Sequence, residues 1–136
     1  MMKRVFSLIL TLMLLSVSMT ACAADTRASD YFDSYGTSLS KLGGGDIKIT
    51  FSCDANGTAS QLGVSSFSVY EYNGSRWELV SGPHSGSYGY GVTSYSFSRT
   101  FYGVAGVKYR VQATFACVKN GTMETKSHTS GSIVAN

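Results

Sequence analysis

Nucleophilic hydrolysis needs a Ser or Cys activated by a His, with an acid to orient the ring. This chain of 136 residues has two histidines, His84 and His128. His84 falls in the glycine-rich stretch 81–91 and His128 close to the end of the last long alternating segment. Neither accompanies a nucleophile-elbow motif. A carboxylate pair for glycoside cleavage would come from Asp46, Asp54, Glu71, Glu78 and Glu124, whose positions at strand edges and turns mark them as solvated charges. Asp54-Ala55-Asn56-Gly57-Thr58 alternates oxygen ligands as a calcium loop does, but it lacks the closing glutamate. Asx-turn chemistry accounts for it more simply. The expectation is a protein with no catalytic residues, no metal centre and no cofactor.

The aromatic residues are the stronger lead. Tyr70, Tyr72, Trp77, Tyr88, Tyr90, Tyr95 and Tyr102 exceed what one small core requires. Tyr and Trp give rigid, amphipathic contact surface of the kind used against proteins and sugars. Tyr70 and Tyr72 share one parity while Phe67 and Val69 share the other, so in a strand one pair must leave the core. Trp77, Tyr70, Tyr72, Tyr88 and Tyr90 are the candidate ligand contacts.

The elements that hold them are strands. Ile47, Ile49, Phe51 and Cys53 alternate with Lys48, Thr50 and Ser52. Tyr109, Val111, Ala113, Phe115 and Cys117 repeat the pattern, as do Tyr95, Phe97 and Phe101, with Arg99 interrupting the apolar row at the rim of the core. Two Asn-Gly pairs, Asn73-Gly74 and Asn120-Gly121, suit two-residue type I′ hairpins, because both residue types tolerate positive φ. The segment 38–42 before Gly43-Gly44-Gly45 is a weaker first strand, and 81–91 reads as a loop. Residues 36–136 are thus expected to form one all-β domain, an Ig-like antiparallel sandwich of about seven strands. Residues 24–35 read as a polar tail.

In such a sandwich the Ile47 and Tyr109 strands lie in opposite sheets and run the same way. Cys53 and Cys117 would then meet at one end of the core, and a disulfide between them is expected. Tyr109 follows the turn Gly103-Val104-Ala105-Gly106-Val107-Lys108, which resembles the tyrosine corner of fibronectin type III and related sandwiches. Tyr109 stands eight residues before Cys117 rather than two, and Trp77 lies 24 residues after Cys53, so the chain is no antibody-type domain. The opening YFDSYGTSLSKLGGGDIKITFS, the Asp54–Thr58 stretch, LGVSS and GVAGVKYRVQATF together resemble a group of small secreted β-sandwich proteins of unknown function from Gram-positive, clostridia-type bacteria. That resemblance implies export and a β-sandwich, and it transfers no catalytic residues.

The first 23 residues have the form of a secretory leader: Lys3 and Arg4, an apolar run from Val5 to Met19, and the small residues Ala21-Cys22-Ala23. The run is too short for a membrane span. Cleavage near Ala23 or Ala24 would leave 113 residues with nine basic and eight acidic side chains, a charge of +1, which disfavours nucleic acid as a partner. Met19-Thr20-Ala21-Cys22 also loosely imitates a lipoprotein signal, so a surface anchor through Cys22 is the alternative to free secretion. Asn56, Asn73 and Asn120 sit in glycosylation sequons but read as turn residues. The resulting expectation is an exported, non-enzymatic binding module for protein or cell-surface material. A small carbohydrate-binding domain is the alternative.

Overall fold

Strict alternation produces strands with one apolar and one polar face, and two such faces closing on each other make a core. The computed structural model describes residues 31–136, and all their regular structure is β. In chain order the strands are β1 (Phe32–Gly43), β2 (Asp46–Ala59), β3 (Gln61–Tyr72), β4 (Trp77–Ser85), β5 (Tyr88–Gly89), β6 (Val92–Tyr102), β7 (Lys108–Lys119), β8 (Thr122–Thr129) and β9 (Ile133–Val134). They form two antiparallel sheets, β1-β2-β6 and β4-β3-β7-β8, with β5 added to β3 and β9 to β7. The chain is therefore an Ig-like sandwich. The nine strands exceed the expected seven by the two-residue β5 and β9.

Ile47, Ile49 and Phe51 of β2 face Leu62, Val64, Phe67 and Val69 of β3 and Val111 and Phe115 of β7, all buried. Phe51 stands at the centre, its ring 5.0 Å from Phe67 across the sandwich and 4.8 Å from Phe97 beside it. β2 and β7 belong to opposite sheets and run the same way, as expected. Tyr109 opens β7 with its ring buried, and its hydroxyl accepts a 2.9 Å hydrogen bond from the Val104 amide upstream.

Several expectations need correction. The stretch 24–35 is not a tail throughout, because β1 starts at Phe32, which is buried, and Tyr35 packs against Phe115. Residues 1–23, with the leader and Cys22, lie outside the described residues, as does 24–30. The supposed loop 81–91 continues β4 to Ser85, with register breaks around Gly82-Pro83 absorbing the irregular residues, and then adds β5. Asp54-Ala55-Asn56-Gly57-Thr58 is the end of β2 and not a loop. Asn120-Gly121 forms the two-residue turn, with φ of 50° and 76°. Asn73-Gly74 instead belongs to a four-residue connection in which Asn73 Oδ1 accepts from the Ser75 and Arg76 amides at 3.0 Å.

The two cysteines are buried but not bonded to each other. Inward parity brings both thiols into the core without bringing sulfur to sulfur: the Cys53 thiol donates within its own sheet, to the Tyr95 carbonyl at 3.6 Å. Burial, assisted by Asp54 and Cys117, pushes the Cys53 thiol up to about 12. Burial likewise raises Cys117. Both are held as thiols at neutral pH, with little of the thiolate that reactivity needs.

Candidate functional site

The pairing of β3 with β4 and β7 decides which side chains share the outer face of the larger sheet. Tyr72 stands opposite Trp77 on one side and Lys108 on the other, and Tyr70 opposite Leu79 and Arg110. Directly opposed residues point the same way, so these six side chains form one patch at one end of the sheet. The Tyr72 and Trp77 rings are 5.3 Å apart and tilted by 47°. The Arg110 guanidinium lies 4.2 Å above the Trp77 ring, and the Lys108 ammonium 5.4 Å from the Tyr72 ring. Cation–π contact of this kind orders both partners without consuming the cation's hydrogen bonds. Tyr72 is 37% and Leu79 52% exposed, while Tyr70, Trp77 and Arg110 are half-buried.

Sequence reading found the rings and missed the cations. In the sequence Lys108 shows only as the last residue of the turn before Tyr109, and Arg110 only as a polar member of an alternating strand. Their place beside Tyr72 and Tyr70 follows from a pairing of β3 with β7 that is distant in sequence. The nearby Glu78 carboxylate is engaged at the turn, where it accepts from Asn73 at 2.9 Å and from Arg76 at 3.3 Å. Tyr88 and Tyr90 do not join the patch. Tyr88 pairs with Gly63, nine positions along β3 from Tyr72 and so roughly 30 Å away. Tyr90 is 71% exposed there.

The other candidates are dispersed. His84 has a companion not foreseen, with Ser81 Oγ 2.6 Å from its Nε2, and its ring lies 5.3 Å from Phe67. His128 packs edge-on to Tyr35 at 6.2 Å. Asp54 ties three strands together: its two oxygens accept hydroxyls from Ser34 at 2.7 Å and Ser94 at 2.6 Å. Those hydrogen bonds, Ser94 first, hold its carboxyl below the ordinary range. The outer face of β1-β2-β6 is otherwise hydroxyl-rich, with Ser38, Thr50, Ser52, Ser96 and Ser98 in register and Thr50 and Ser98 in mutual contact at 3.3 Å.

No family model matches this chain, and neither does any curated protein.

Proposed function

We propose that this chain is an exported, non-enzymatic recognition module that engages a protein surface through the outer face of β4-β3-β7-β8. The observation that supports this reading best is the patch of Tyr72, Trp77 and Arg110, the three residue types that most often carry the energy of protein interfaces. The rings are pre-ordered by their tilted contact with each other and by the cations, so less side-chain entropy is lost on binding. A sugar platform, the alternative, needs an open ring face. Arg110 covers one face of Trp77, and Tyr72 is tilted away from coplanarity. Protein is therefore the preferred partner over cell-surface glycan. Export rests on the leader pattern of residues 1–23, with a lipid anchor at Cys22 as its variant.

Immobilised protein exposed to a cell-surface fraction tests the reading. Binding should survive periodate oxidation of sugars, vanish on protease treatment of the fraction, and fall about 30-fold in Trp77→Ala, the scale of an interface hot spot. Loss on periodate treatment with survival of protease would assign the patch to sugar instead.

A further inference from the structure

β1, β4, β6 and β8 each have a neighbour on one side only along the sheet order. Such edges present unpaired N–H and C=O groups, which proteins protect with proline, charge, bulges or short strands. β4 carries Pro83 and two register breaks. β8 has eight residues including Glu124 and Lys126, and β1 has Asp33, Lys41 and a break near each end. β6 is different. From Ser94 to Tyr102 it pairs with β2 without a break, contains no proline, and has Arg99 as its one charge. Among the described residues, none in β6 makes a backbone–backbone hydrogen bond outside that pairing. Its first half is shielded by the β5 segment, where the Ser87 and Tyr95 hydroxyls are 2.6 Å apart. Its second half borders a cleft.

That cleft, about 570 Å³, opens between the β4 and β6 edges. Its floor is the core side chains Ile49, Phe67 and Val69, and His84 and Arg99 stand at its rim. Among the described residues, no carboxylate lines it. Arg99 donates to the neighbouring Ser98 carbonyl at 3.2 Å and lies 4.9 Å from the Phe97 ring, and among the described residues no acid forms a salt bridge with it. Tyr102, 77% exposed, also lines the cleft.

We propose that residues 97–102 of β6 bind an extended acidic peptide segment by strand addition. The added strand pairs its backbone with the open edge, sends alternate apolar side chains over the cleft floor, and sets a carboxylate against Arg99. A second copy of β6 is the poorer occupant: VTSYSFSRTFY holds no acid and would bring another arginine to the first. The site lies on the far side of β4 from the Trp77 patch, and the proposal does not depend on that patch.

Isotope-labelled protein titrated with the capped peptide Val-Thr-Val-Thr-Glu-Thr-Val, read by amide chemical shifts, tests it. Shifts should concentrate in 97–102 and 80–85. Replacing the peptide's Glu by Lys should weaken binding roughly tenfold, and Arg99→Glu should reverse the preference. Arg99 is exposed, so the variant's own amide spectrum reports that it remains folded. N-methylation of alternate peptide amides should abolish binding, and Trp77→Ala should leave the titration unchanged. Equal affinity for the Glu and Lys peptides, shifts centred on Tyr72 and Trp77, no binding at millimolar peptide, or self-association of the free protein through 97–102 would each overturn it.

Discussion

On the outside of the three-stranded sheet, Ser38, Thr50, Ser52, Ser96 and Ser98 present hydroxyls to water. On the outside of the larger sheet, Tyr70, Tyr72, Trp77 and Leu79 present rings and an aliphatic chain under Lys108 and Arg110. Both faces obey one parity rule, and both leave their apolar residues of opposite parity to a shared core. They differ in what is gained by losing water. Hydroxyls removed from water must find new partners to break even. Aromatic surface gains on the order of 25 cal/mol per Å² removed. One fold thus supplies an inert face and an adhesive one, and only side-chain chemistry separates them.

The comparison holds only while the two sheets remain closed on each other, and the thiols report that. Cys53 belongs to the hydroxyl-faced sheet and Cys117 to the aromatic one, and both point inward. Alkylation of either in the native protein should be slowed by roughly a thousandfold or more relative to denatured protein, since exposing them needs global opening worth at least about 5 kcal/mol. Both should label fully in denaturant with no reductant added. Rapid native labelling of one cysteine alone would mean that its sheet opens separately.

The faces themselves are compared by matched truncations. Trp77→Ala should weaken partner binding by about 2 kcal/mol, whereas Ser96→Ala, on the hydroxyl face, should leave it unchanged in the same titration. A smaller effect bears on the turn beneath the aromatic patch. Tyr109→Phe keeps the buried ring and strips the acceptor from the Val104 amide. Chemical denaturation should show a loss of about 1 kcal/mol with binding intact, the low end because Val104 is exposed and water can reach it.

The smallest effect is a pH dependence on the hydroxyl face. Asp54 titrates below its ordinary 3.8 in the folded protein because Ser94 and Ser34 donate to its charged form. A depressed folded value means stability that is present above about pH 4 and is lost as pH falls through the folded value. Ser94→Ala removes the larger cause, so the Asp54 side-chain carbon should titrate at higher pH by NMR. The acid loss of stability attributable to this group should shrink.

The strands with unbroken alternation, β2 and β7, were legible, together with the Asn120-Gly121 turn and the role of Tyr109, because each depends on residues close in sequence. β1 was harder to see at its start. Phe32 and Tyr35 are separated by Asp33 and Ser34, which gives no period-two row. Gly82 and Pro83 signal a turn, and the structure instead absorbs them as bulges within β4. The bridge between Cys53 and Cys117 failed for a different reason: parity assigns a face but carries no information on separation across the core. Half of the candidate patch was visible for the same reason that half was not. Tyr72 and Trp77 are joined by a local hairpin, while Lys108 and Arg110 arrive through a long-range pairing.

The ends of the described chain are fastened at opposite poles. The Tyr31 carbonyl accepts from the Asn56 amide at 3.0 Å, and the Asn136 carbonyl accepts from Gly45 at 2.7 Å, beside the turn that ends β1. Between those poles β1 runs roughly 35–40 Å alongside β2. Tension applied to the two ends would act along the strands, at right angles to the ladder of hydrogen bonds. It would load that whole ladder at once, as a shear, instead of peeling it bond by bond.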